Sequence, residues 1–482
     1  MKVMIGYPPL PSAKGVPLLS QNRQFQWFNK PTYVYPMVPA YAASLAAADG
    51  HEVRWADGIA EGWTPARFEE EFRAFDPDVL LIECKTPIVK PYWAAIRRLK
   101  ALGGRARIAL CGDHATALPE ESLAACPVDY ILTGGNYDFL LRGLLRHLEG
   151  KGDLPPGIWL REGARTLSTG PFLLDDNLND LPFIDRDLTR WKLYAVENGN
   201  FRYTPGTYTM VGRDCWWGKC AFCSWTTLYN RWRCQTPERL ADEIGMLIDR
   251  YGVKEVFDDS GCFPAGHWLR RFCEIVVERG YHKKVVLGCN MIPGALSQEH
   301  YDLMAGANFR FLLFGLESAS PETLQRIKKC GRANDIENSM RMAKKAGLQP
   351  HVTCMVGYPW ESEAQARATV NLTRSLFDKG YIDTLQATVV IPYPGTPLFK
   401  ECQQNGWLKT EDWDRYDMRE PIMKTGMPDE TIMALTREIY RSFLTPRFVW
   451  RKLISIRSFA DVQFYWRAGL RVLGHLLDFS KN

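Results

Sequence analysis

The chain has 482 residues, 46% hydrophobic and 24% charged, which are globular values in a protein too long for one ordinary core. Thirteen scattered cysteines, and an opening MKVMIGYPPLP with no apolar stretch before a cleavage site, exclude a secreted disulfide framework and lead us to expect a cytoplasmic protein. The net charge of +5 is confined to residues 445–482, where seven Lys/Arg meet two acids; elsewhere 53 bases balance 53 acids, which excludes a nucleic-acid groove across the whole molecule.

Strand patterns in the first 150 residues are 2-KVMIGY-7, 52-EVRWAD-57, 78-DVLLIE-83, 107-RIALCG-112 and 128-VDYILTG-134. Helical patterns such as 39-PAYAASLAAADG-50 lie between them. Short apolar strands alternating with helices predict a doubly wound parallel sheet, whose ligands sit beyond the carboxyl ends of the strands. The aromatic loop 25-FQWFNKPTYVYP-36 falls at that face, either as cavity lining or as a hydrophobic lid between domains. Residues 151–204 read as an irregular linker.

A second alternating series occupies 205–406. Its strands are 207-TYTMVG-212, 253-VKEVFDD-259, 284-KVVLGCN-290, 309-FRFLLFGLE-317, 350-PHVTCMVG-357 and 384-TLQATVVIP-392. Six β/α units predict a partial (β/α)6 barrel, with chemistry at the strand carboxyl ends. Residues 407–482 read as a helical extension. Its segment 462-VQFYWRAGLRVLGHLLDF-479 pairs a basic face (Arg467, Arg471, His475) with an apolar stripe (Trp466, Leu470, Leu473, Leu477). That stripe suits packing on the barrel, and its charge also suits peripheral contact with an anionic membrane. No apolar run reaches membrane-spanning length.

The loop after the first barrel strand reads 213-RDCWWGKCAFCSW-225. Cys215, Cys220 and Cys223 fit three corners of a 4Fe-4S cubane, leaving one iron for a small molecule's amine and carboxylate. Phe222 would shield one face. The alternative is structural zinc in a non-catalytic scaffold, with Cys234 as fourth thiolate.

Residues 205–400 resemble the radical S-adenosylmethionine (SAM) superfamily. With 112-GDHATALPEE-121, the N-terminal domain resembles its cobalamin-binding members, which include C-methyltransferases and anaerobic chlorophyll-cyclase-type enzymes. The resemblance implies a Rossmann-like cobalamin domain over 1–150 and a radical SAM barrel over 205–406. It implies cluster ligation by Cys215, Cys220 and Cys223. It places Asp259, Ser260, Gly261, Asn290, Glu317 (in 315-GLES-318) and Glu361 (in 357-GYPWES-362) around SAM. The segment 391-IPYPGTPL-398 is a signature of the cobalamin-dependent members. The four-residue gap 216-WWGK-219 departs from the usual three, and Gly218 is suited to absorb the extra residue.

Asp258 and Asp259 also read as a solvated turn, and Glu317 as a strand-end cap. The corrin is expected at Tyr7, Gly112, Asp113, His114, Ala115, Thr116, Gly134 and Gly135, where glycines and small residues would let a flat macrocycle approach. The sequence G-D-H-A-T departs from the D-x-H-x-x-G of enzymes with a histidine cobalt ligand. His114 therefore reads as a corrin contact or a satisfied loop residue. The implied activity is hydrogen abstraction by a 5′-deoxyadenosyl radical followed by methyl transfer, or ring closure or desaturation without it. A small-molecule or lipid-like substrate and a reductase, flavodoxin or ferredoxin electron donor are the expected partners.

Overall fold

Two parallel sheets organise the chain. The computed structural model describes residues 1–17, 27–29, 33–163, 165–196, 201–329, 331, 333–442, 446–454, 456, 462 and 466. In the first sheet, β1 (Lys2–Tyr7), β2 (Glu52–Asp57), β3 (Val79–Glu83), β4 (Arg107–Cys111) and β5 (Tyr130–Leu132) are parallel, in the order β2-β1-β3-β4-β5. β3, VLLIE, is buried along its whole length, as a strand covered by helices on both faces must be. The strand order reverses between β1 and β3, so the crevice for a ligand opens beyond Tyr7 and Glu83.

The reading of 151–204 as irregular needs correction. β6 (Ile158–Glu162) and β7 (Arg165–Ser168) form a hairpin that extends the sheet antiparallel from β5. All four residues of β7 are exposed, so no apolar alternation announces it. Further along, Arg186 is fully buried and joins three parts of the fold. Its guanidinium donates to Thr207 Oγ1 and the Tyr208 carbonyl (each 2.8 Å), pairs with Glu243 at 3.1 Å and lies 4.8 Å over the Tyr35 ring.

The second sheet runs in chain order and is parallel throughout: β8 (Gly206–Thr209), β9 (Glu255–Asp258), β10 (Val286–Met291), β11 (Phe309–Glu317), β12 (Gln349–Val356) and β13 (Thr384–Val389). The helices between them carry their own stop signals. Thr236 caps Pro237–Tyr251 by accepting from Arg239 N, and Gly252 ends that helix at φ +63°. The first strand is shorter than expected. Asp258 accepts from Thr209 Oγ1 and Val211 N (each 2.9 Å), which turns the chain, and Gly212–Arg213 then pairs antiparallel with Arg233–Cys234.

Helices Pro397–Gln404, Asp429–Arg441 and Pro446–Ile454 make up the C-terminal region, with irregular chain between the first two. Among the described residues no helix is long and apolar enough to cross a membrane. The amphipathic pattern at 462–479 lies outside the described residues except Val462 and Trp466, and the aromatic loop is described only at 27–29 and 33–36.

Candidate active site

The cysteine loop is pinned from both sides. Asp214, at φ +79°, accepts from Cys215 N at 2.6 Å. Trp216 Nε1 donates to the Phe263 carbonyl (3.2 Å) and Trp217 Nε1 to that of Lys328 (2.7 Å). Gly218 sits at φ +57°, and a Cβ there would lie 3.2 Å from the Cys215 carbonyl, so the extra residue of the first gap is taken up where glycine is needed.

Cys215, Cys220 and Cys223 line one cavity, and Phe222 is part of its wall. A hydrogen bond with the Cys262 thiol lowers the Cys215 pKa to about 7, while burial, followed by the Cys220 charge, raises that of Cys223. Among the described residues no three His, Cys, Asp or Glu side chains stand ready-assembled around a metal position. Cys234 lies on the short strand beside Gly212 and does not line the cavity, which leaves the zinc alternative without its fourth thiolate there.

Asp259, Gly261, Asn290 and Glu317 join the three cysteines in the wall. Asn290 Nδ2 donates to the Ser260 carbonyl at 2.7 Å. Glu317 is at φ +62°, where β11 slips register against β12 between Gly315 and Glu317. A left-handed glutamate at a bulge is uncommon and turns the side chain into the site. Its Oε1 lies 2.8 Å from Lys329 Nζ, with both side chains largely buried. Gly315 makes room for this pair, since a Cβ there would lie 2.1 Å from Glu317 Oε1 and 2.4 Å from Lys329 Nζ. Burial opposes the Lys329 charge, but Glu317 and then Cys220 outweigh it and raise its pKa.

Lys329 was not among the expected residues; a lysine in 326-RIKK-329 carries no signal until the chain returns past β11. Two expected SAM contacts sit behind the wall instead. Ser260 is buried and accepts from Gly212 N at 2.8 Å, and Glu361 is buried and accepts from Ser318 Oγ at 3.2 Å. Among the described residues the other Glu361 oxygen has no hydrogen-bond partner, and burial pushes this carboxyl up to about 7.

The carboxyl edge of the N-terminal sheet packs directly on the exit of the cysteine loop. Gly135 N donates to the Leu228 carbonyl (2.8 Å), and Arg213 reaches across to Asp138 (2.7 Å), both side chains being buried. Tyr229 Oη donates to the Gly135 carbonyl (3.2 Å) and Arg233 to Asn136 Oδ1 (2.8 Å). The glycines expected to admit a macrocycle are therefore met by protein. A Cβ would lie 2.2 Å from the Cys84 carbonyl oxygen at Gly112, 2.6 Å from the Phe172 ring at Gly134 and 2.0 Å from the Tyr229 ring at Gly135.

The polar residues of this edge are also engaged. Tyr7 donates to Glu83 at 2.5 Å, and Asp113 accepts from His114 N at 2.8 Å with Lys85 Nζ 3.5 Å away. Thr116 Oγ1 donates to the Gly112 carbonyl (2.7 Å) and accepts from Gly134 N (3.0 Å), and Ala115 is fully buried. His114 has no exposed surface; Nδ1 lies 3.3 Å from Thr86 Oγ1 and Nε2 3.2 Å from Glu121 Oε2. Of its two readings the structure takes the satisfied loop residue. As they stand, these eight positions do not fit a corrin seat.

Residues 209–373 match the model of the Radical SAM superfamily. It is 27% identical over 434 residues to an uncharacterized methyltransferase of Pyrococcus horikoshii, covering 88% of this chain and 91% of that protein. It is 22% identical over 433 residues to the anaerobic magnesium-protoporphyrin IX monomethyl ester cyclase of Cereibacter sphaeroides, covering 86% and 68%. Its fold matches the cobalamin-dependent SAM radical enzyme OxsB with aqua-cobalamin bound (TM-score 0.71, 13% identity, 99% of this chain and 72% of that one). It also matches the radical SAM methyltransferase TsrM of Kitasatospora setae with tryptophan and a SAM analogue bound (TM-score 0.65, 16% identity, 85% and 77%).

Proposed function

We propose that this enzyme methylates an unactivated carbon of a small or lipid-like substrate, using a 4Fe-4S cluster, SAM and cobalamin. One observation carries the reading: three thiols of a single loop share a cavity with residues at the ends of consecutive barrel strands, and the exit of that loop is packed on the N-terminal sheet. When bound at the three thiolates, the cluster together with SAM would supply a 5′-deoxyadenosyl radical able to take hydrogen from the substrate.

The chain's own part is to hold and orient. Cys215, Cys220 and Cys223 provide thiolates for three irons, and Phe222 keeps water from one face. Lys329 and Glu317 offer one positive and one negative group side by side, complementary to the carboxylate and ammonium of SAM's methionine moiety. Asn290 and Asp259 add polar contacts, while Ser260 and Glu361 brace the strand ends from behind. Cobalamin enters the proposal from OxsB and TsrM, which bind it. The eight N-terminal positions give it no seat, so no residue of that edge is assigned a step. A reductase, flavodoxin or ferredoxin would supply the electron.

The test compares metabolites, lipids and pigments of cells with and without the gene. A product heavier by one CH₂ is expected. Loss of two hydrogens with no methyl gained would place the enzyme with its cyclase-named relatives and overturn the methylation.

A further inference from the structure

Among the described residues, helix Pro446–Ile454 meets the barrel through Phe448 and Arg451. Phe448 packs edge-on against Phe377 with ring centroids 5.3 Å apart, and Arg451 donates to the carbonyls of Phe377 and Asp378. At 100° per residue, Trp450, Leu453 and Ile454 fall on the opposite side. They are 65%, 56% and 60% exposed. Val462 and Trp466 beyond them are also exposed, and Trp450 and Trp466 are the two exposed tryptophans among the described residues. Arg447, on the flank of the same helix, is exposed, and residues 445–482 hold the chain's entire net charge of +5.

We propose that this face docks the enzyme on an anionic lipid surface. Tryptophan and aliphatic side chains seat at the boundary of headgroups and acyl chains, and neighbouring bases meet the lipid phosphates. A second copy of this chain is the less fitting occupant, because pairing two such faces would bring two strongly basic segments together.

The placement also says what the docking is for. Arg451 grips the C-terminal end of helix Glu363–Lys379, which runs back down between β12 and β13. That end lies at the foot of the barrel, opposite the cysteine-lined cavity at the strand carboxyl ends. The lipid surface therefore localises the enzyme and does not feed its cavity. The inference stands apart from the chemistry proposed above.

The test is flotation of the full-length, cluster-loaded protein with vesicles of phosphatidylcholine alone or mixed with phosphatidylglycerol. Binding to the mixed vesicles should exceed binding to the neutral ones by about tenfold or more, and should weaken as salt shortens the screening length. Trp450→Ala/Leu453→Ser should lower it by about tenfold, and Arg447→Glu, which leaves the apolar face intact, by a similar factor. Equal binding to both vesicle types, no binding to either, or variants that bind like the parent would overturn the proposal. So would sedimentation velocity showing a dimer that Trp450→Ala/Leu453→Ser dissolves, which would make the face a contact between copies.

Discussion

Replacing Lys329 by Met leaves Glu317 as a lone carboxylate in the cavity wall. The two groups stand 2.8 Å apart, with side chains 11% and 8% exposed. At an effective dielectric of about 20 such a pair attracts by on the order of 6 kcal/mol. Desolvation offsets much of this, and breaking a buried pair from one side costs about 3–5 kcal/mol. In Lys329→Met/Glu317→Gln the uncompensated charge is gone, and more than half the loss should return. Anaerobic thermal unfolding of the full chain reads the deficit, and hydrogen exchange at the β11 amides localises it. A double variant as unstable as the single one would refute the coupling.

Glu361→Gln should stabilise the protein at neutral and higher pH. Burial raises this carboxyl to about 7, so its ionisation costs stability that is absent below the unfolded pKa of about 4.5 and complete above about 7. The gain in unfolding free energy should grow from about pH 5 to about pH 8, up to on the order of 3 kcal/mol; no gain at the upper end would sink the argument. Gly135→Ala sets a Cβ 2.0 Å from the Tyr229 ring and should destabilise the interface between sheet and cysteine loop by about 1–3 kcal/mol. Gly306→Ala, with open space around its Cβ, should be near neutral, and Gly135→Ala/Tyr229→Ala should recover part of the loss. Equal melting temperatures for Gly135→Ala and Gly306→Ala would show that the close approach does not matter.

The parallel strands could be read because each is a short apolar run between turn signals, as in 79-VLLIE-83 and 309-FRFLLFGLE-317. The hairpin Ile158–Ser168 escaped because its outer strand is solvated and carries no alternation. The gathering of Cys215, Cys220 and Cys223 was legible because all three lie in one loop, and Glu317 because it ends a strand. Lys329 was not, because only the bulge at Gly315 and the return of the chain bring it to Glu317. The glycines at 112, 134 and 135 show another limit. A sequence reports that backbone must be approached closely, but not by what: here a carbonyl, a phenylalanine and a tyrosine from the protein itself. Ser260 and Glu361 make the same point for polar residues, since a motif fixes their place in the chain but not which way they face.

Whether three thiols of one loop hold an open-iron cubane is decided by iron and sulfide content together with SAM cleavage, measured in anaerobically purified protein and in two cysteine variants. The parent should be brown, carry about four iron and four sulfide per chain, and release 5′-deoxyadenosine under reduction. Cys220→Ala should lose cluster and cleavage together, because two remaining thiolates cannot hold it. Cys234→Ala, whose side chain lies off the cavity, should keep both. Colourless parent protein with one zinc per chain, or a Cys234→Ala variant as empty of metal as Cys220→Ala, would contradict the account.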